Sequence, residues 1–123
     1  MDFEQQVWQL VLHGGNARSC AYEAMDAAES GDFKSAEKHL KEAEAAFREG
    51  HQVLTTLLQS GDDQLSGLLM MHAQDHLMTA QAELNLIRRI IHQQQSIQNL
   101  EQRLQILEET RDTYARNHHR HSK

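Results

Sequence analysis

At 123 residues the chain is of ordinary single-domain size, and it has no proline and only six glycines, so the turn residues that a β-rich fold needs every ~8–12 positions are missing. Ala, Leu, Glu, Gln and Lys dominate, residues that lose least on entering a helix, and the expected fold class is all-α. A formal net charge of −6 leaves no long basic face to neutralise phosphates, so no nucleic-acid partner is expected.

The first helix is expected over roughly Phe3 to Ser30, with Val7, Val11, Ala21, Met25 and Ala28 as its apolar stripe. Ahead of it, Met1-Asp2-Phe3-Glu4-Gln5-Gln6 is acidic and polar where a signal peptide would be basic and then apolar. Gly14-Gly15 falls in mid-helix, where each glycine costs about 1 kcal/mol against alanine. The pair marks either close approach of a neighbouring backbone or a break that Asn16 restarts as an N-cap. The stripe keeps phase across it, which favours close approach. The single cysteine, Cys20, excludes an intrachain disulfide, suits a reducing cytoplasm and reads as a small packing residue rather than a reactive thiol.

The second helix carries the clearest pattern. Phe33, Ala36, Leu40, Ala43, Phe47, Gly50, Leu54 and Leu57 alternate spacings of three and four. Asp32 after Gly31 is its expected N-cap, and Ser60-Gly61-Asp62-Asp63 its end. Lys34, Glu37, Lys38, Lys41, Glu44 and Arg48 form the solvated face.

The third helix is expected from near Gln64 to Asn117, and its ~50 residues reach about 75 Å against about 40 Å for the first two. Its apolar run Leu68-Leu69-Met70-Met71 is far short of the ~18 residues of a membrane span. Beyond roughly Gln95 nothing in the chain is left to pack against, yet Ile97, Leu100, Leu104 and Leu107 recur at three, four and three. A polar helix with such a stripe needs a partner, so an intermolecular coiled coil is expected. Residues 1–95 thus form a three-helix domain and 96–123 a coiled-coil-like extension, its end from Asn117 to Lys123 disordered, basic and His-rich.

Chemistry concentrates on the third helix. His72, Asp75, His76 and Thr79 fall at i, i+3, i+4 and i+7 and share one face. Buried, such a stripe would leave unsatisfied polar groups, so it faces water or lines a site. Three readings fit the residues. The histidines are plain surface residues; or His72 and His76 with Asp75 ligate a metal such as zinc, a spacing correct for two ligands but with no third in sight; or one imidazole is a nucleophile that attacks phosphorus, with Gln74 as an amide donor and the second histidine orienting the ring.

The segment His72-Ala73-Gln74-Asp75-His76-Leu77-Met78-Thr79 resembles the signature of the enzyme IIA component of the lactose/cellobiose (including diacetylchitobiose) phosphotransferase systems. Gly15-Asn16-Ala17-Arg18-Ser19, Ala21-Tyr22-Glu23-Ala24, Ser30-Gly31-Asp32-Phe33 and Glu49-Gly50-His51 follow the same family in order and spacing, so the resemblance covers Val7 to about His92. It implies an antiparallel three-helix subunit that forms a homotrimer. It further implies that phospho-HPr donates a phosphoryl group to His72, that Gln74 helps hold it, and that it passes to a cysteine of the IIB component. From there it reaches a β-linked disaccharide entering through the membrane IIC component, which this chain meets only indirectly. Asp75 is implied as a ligand, on the trimer axis, of a divalent cation, usually magnesium. Three carboxylates there repel by about 4 kcal/mol per pair at ~4 Å and an effective dielectric near 20, and a hard cation with oxygen ligands removes the repulsion. His76 is left an orienting or packing role.

The sequence departs from the family in three places. Leu54-Thr55 stands where a Gln-Thr pair is usual, the connection Gly61 to Gly67 is shorter, and the tail beyond about Gln94 is additional. Cys20 stands where leucine is common, in keeping with a packing role. The competing class is a non-catalytic helical trimer that acts as a regulator or scaffold through its tail.

Overall fold

The computed structural model describes residues 2–121, and side chains through His119. Its three α-helices are α1 (Phe3–Glu29), α2 (Phe33–Gln59) and α3 (Leu68–His121), with a short 3₁₀ turn at Asp63–Ser66; there is no strand among the described residues. None of these helices is long and apolar enough to cross a membrane. The path is up-down-up, so α1 and α3 run parallel while α2 opposes both.

The turn between α1 and α2 takes three residues and does two jobs. The Gly31 N–H donates to the Ala28 carbonyl at 3.0 Å and the Asp32 N–H to the Ala27 carbonyl at 2.9 Å, closing α1 as a Schellman motif around Gly31 at φ 84°. Asp32 then caps α2, its carboxylate accepting from the Ser35 N–H at 3.1 Å and the Ser35 hydroxyl at 2.8 Å. At the other end of α1, Asp2 and Gln5 form a reciprocal capping box.

Each helix buries a narrow seam. In α1 it is Val7, Leu10, Gly14, Ala17, Ala21, Ala24 and Ala28, an unbroken alternation of three and four. Val11 and Met25, expected within the stripe, are half-buried flanks instead. The seam is made of alanine and glycine because α1 lies between the other two helices, where small side chains let backbones approach. The α2 seam is as expected, with Ala36, Ala43, Gly50, Leu54 and Leu57 buried and Phe33, Leu40 and Phe47 half-buried at its edge. In α3, Met70, Ala73, Leu77, Ala80, Leu84 and Ile87 complete the core.

Glycine 14 lies where α3 passes: a Cβ there would sit 3.5 Å from the backbone carbon and oxygen of His76, in ordinary contact, whereas Gly15 faces open space. Helix α1 runs through the pair unbroken, so there is no restart at Asn16, and close approach is marked by Gly14 alone. The tightest point is Gly50, whose added Cβ would lie 2.9 Å from Leu77 Cδ1 and 3.1 Å from His13 Cβ.

Helix α3 departs from expectation at both ends. It starts at Leu68, because Asp62 caps the 3₁₀ turn by accepting from the Gln64 N–H at 2.8 Å and only after Gly67 does the α-helical pattern begin. At the far end, Ile97, Gln98 and Glu101 still line a shallow cleft with the α1–α2 turn, slightly past the expected Gln95. The helix then runs on through Asn117, His118 and His119 to His121, where disorder is expected. No glycine or proline interrupts it, and Tyr114 stacks on His118 one turn on, ring centroids 4.4 Å apart. The expectation for Ser122 and Lys123 lies outside the described residues. From Leu100 through His119 every side chain is exposed.

Candidate functional site

The buried residues Met70, Ala73, Leu77, Ala80 and Leu84 clamp one side of α3 against the bundle and turn the opposite side outward. His72, Asp75 and Thr79 are therefore exposed and His76 half-buried, together with Arg18 lining a shallow cleft of about 180 Å³. The ring of His76 meets that of His72 edge-on, with centroids 4.6 Å apart and planes at 80°. His76 is the more fixed of the two, since its own backbone rests beside Gly14. An open imidazole steadied by a half-buried one suits a group that must reach other macromolecules.

Gln74 does not join this cleft. Two residues apart on a helix are ~200° apart around its axis, so Gln74 is half-buried on the far flank of α3 from His72. Asp75 is exposed and, among the described residues, has no hydrogen bond or ion pair within the chain. Met71 and Met78, 54% and 45% exposed, flank it one turn before and after, with Leu68 and Leu86 continuing the same face. Among the described residues nothing covers that stripe, and an exposed carboxylate offers the oxygen ligands that suit a hard cation. Among the described residues no three His, Cys, Asp or Glu side chains gather as a metal-binding group within one chain.

One member of the site goes unread in the sequence. Arg18 of α1 crosses to Glu83 of α3 with two parallel hydrogen bonds, Nε to Oε2 at 3.0 Å and Nη2 to Oε1 at 2.9 Å. The Arg18 hydrogen bonds, helped by Tyr22, hold the Glu83 carboxyl below its ordinary range against a desolvation that pushes it up. The guanidinium is correspondingly raised. The pair fastens α1 to α3 beside His72 and keeps a cation at the rim. Arg18 stands within a recognised block, but its partner lies 65 residues away, and no local spacing announces it.

Because the Glu83 folded pKa is depressed, its stabilising contribution is complete above the unfolded value and is lost as pH falls through the folded one. Glu83→Gln should therefore lower the urea midpoint at neutral pH and flatten its decline in the acid range. Coincident curves for the two proteins across that range would show the pair to be without effect on stability.

Over residues 5–95 the sequence matches the family described as "PTS system, Lactose/Cellobiose specific IIA subunit". The lichenan-specific phosphotransferase enzyme IIA component of Bacillus subtilis (strain 168) is 43% identical over 93 residues, 73% of this chain and 84% of that protein. The crystal structure of the cellobiose-specific enzyme IIA from Bacillus anthracis superposes with a TM-score of 0.75 at 36% identity, covering 80% of this chain and 94% of that one. The IIA(chitobiose) subunit in its solution complex with HPr, from Escherichia coli, gives a TM-score of 0.72 at 33% identity, covering 80% and 98%.

Proposed function

The chain belongs to the lactose/cellobiose-specific IIA subunits of the sugar phosphotransferase system, and from that we propose that it carries the phosphoryl group on His72. A phosphotransferase component of this kind takes the group from one protein and gives it to another. The observation that carries the reading is the exposure of His72, edge-on to the half-buried His76 in the cleft that Arg18 also lines.

Phospho-HPr is the proposed donor, a reading supported by the relative whose structure is a complex with HPr. A ring nitrogen of His72 attacks phosphorus, a new N–P bond forms, and the donor's N–P bond breaks with its electron pair left on the donor ring. The second transfer repeats the exchange with a cysteine thiolate of the IIB component as nucleophile, so His72 leaves as it entered. No oxidant or water is consumed. The sugar at the end of the relay is of the β-linked disaccharide class, and this chain never touches it. Incubation with labelled phospho-HPr tests the reading; a scaffold would take up no label.

The working unit is a homotrimer built on the exposed face of α3, where Leu68, Met71, Met78 and Leu86 await cover. In a threefold arrangement one flank of each α3 meets the opposite flank of its neighbour. His72 and Gln74 stand on opposite flanks, so Gln74 from a neighbouring protomer can donate its amide to the phosphoryl group that His72 carries. Asp75 from each of three protomers would hold a divalent cation, magnesium by the chemistry of hard oxygen ligands, and the cation would neutralise the repulsion between the carboxylates. Sedimentation equilibrium should give about three times the 14.1 kDa chain mass, and a monomer at micromolar concentration would sink the assembly.

Asp75→Leu should keep the trimer, match or exceed the wild type in thermal stability, and lose any response to a chelator. A wild type indifferent to both magnesium and chelator would remove the axial cation from the account.

A further inference from the structure

Helix α3 continues well past the span that the family accounts for, which ends at residue 95. On this segment Leu100, Leu104 and Leu107 are 61%, 56% and 66% exposed. We propose that the tail from Ile97 to Tyr114 forms a parallel, in-register coiled coil with the same segment of other copies of this chain. The proposal rests on the trimeric reading above, because that assembly would bring the three tails out side by side.

Continuity of the face is the first argument. Asp75, Met78 and Ala82 are followed eleven residues on by Leu86, Arg89 and Gln93, and eleven further by Ile97, Leu100 and Leu104. An eleven-residue repeat stays on one side of a nearly straight helix, so the tail stripe extends the face that carries Asp75. From Ile97 the spacing becomes three and four, through Leu100, Leu104, Leu107, Arg111 and Tyr114, which is the pattern that wraps helices left-handedly around one another. Ile106 alone among the exposed large apolar residues of the tail falls off this stripe.

Charge decides the orientation. With Ile97 and Leu104 at the first core position of each heptad and Leu100 and Leu107 at the second, Arg103 and Glu108 occupy opposite edges of the stripe. In a parallel coil the edge residue of one helix meets the opposite edge residue five places on in its neighbour, which pairs Arg103 with Glu108. Neither has an ion pair or hydrogen bond within its own chain among the described residues. An antiparallel pairing would instead set like edges together, arginine against arginine and glutamate against glutamate.

The test uses the full chain with Cys20→Ala. Leu107→Cys, on the stripe, should form disulfide-linked pairs rapidly under mild oxidation, while Glu109→Cys, on the opposite face, should cross-link far more slowly. Equal rates in a protein that still sediments as a trimer overturn the coil and leave the trimer standing. A monomer by sedimentation overturns both. Arg103→Glu and Glu108→Arg should each lower the melting temperature by a few degrees, and the double exchange should restore it; failure to restore overturns the parallel register. Leu100→Glu with Leu104→Glu should remove the Leu107→Cys cross-link while the trimer persists. Loss of the trimer in that variant supports the coil and overturns the α3 face of residues 68–86 as the main oligomerising surface.

Discussion

His72→Ala is expected to reduce phosphoryl acceptance from phospho-HPr to background while leaving helix content unchanged. The two halves follow from separate features. In the proposed relay the imidazole supplies the nitrogen of the new N–P bond, and alanine offers no nucleophile in its place. His72 is exposed and takes no part in the buried seam of α3, so its removal should move stability by no more than about 0.5 kcal/mol. Alanine is also the better helix former, which biases any shift toward stabilisation. The label on the wild type should be lost in mild acid and kept in base, the signature of an N–P bond. His76→Ala, by contrast, should slow acceptance without abolishing it, since that ring lies edge-on to His72 at 4.6 Å and its proposed role is to orient it. Full acceptance by His72→Ala would transfer the carrier role to His76 or to another residue.

How much of this was legible depends on side-chain size and on sequence distance. The α2 seam is readable because Phe, Leu and Ala alternate in register across the whole helix. The α1 seam is harder: Gly14, Ala17, Ala21, Ala24 and Ala28 are weakly hydrophobic, and the eye goes to Val11 and Met25 on the flank. Small residues mark where helices come closest, so the least conspicuous stripe belongs to the most enclosed helix. The same blindness hides Gly50, which reads as one member of a seam and proves to be the glycine with the least room for a side chain.

The site divides along the same line. His72, Asp75, His76 and Thr79 share a face by helical geometry alone, and the cleft indeed gathers them. Arg18 and Glu83 meet only because α1 and α3 run side by side, a tertiary fact without a local signature. Gln74 shows the converse limit. It lies two residues from His72, yet the helix turns it to the far flank, and proximity in sequence is not proximity in the subunit.

Leu77→Ala should be the most damaging single truncation beneath the site, and Gly50 should determine by how much. Leu77 is fully buried and belongs to the cluster with Val7, Leu10, Leu54, Leu57, Met70 and Ala73. Removing three carbons there costs about 2–5 kcal/mol, the spread reflecting how far the surroundings collapse. Collapse is hindered because α1 and α2 already touch at this level, with a Cβ on Gly50 reaching within 3.1 Å of His13 Cβ. The cavity opens one residue from His76, so phosphoryl acceptance should slow as α3 loosens, without being abolished. A second substitution probes the same space from the other side. In the wild type, Gly50→Ala would press its new methyl to within 2.9 Å of Leu77 Cδ1, and the strain opposes the ~1 kcal/mol that alanine gains over glycine in a helix. In Leu77→Ala the clash with Leu77 Cδ1 is gone and only the 3.1 Å approach to His13 Cβ remains, so more of the helix gain is kept. Gly50→Ala should therefore be more favourable in the Leu77→Ala background than in the wild type, a coupling readable from urea midpoints in a double-mutant cycle. The four proteins need to be compared at one concentration, since assembly contributes to apparent stability. Additive effects of the two substitutions would mean that Gly50 and Leu77 do not share the contact described here.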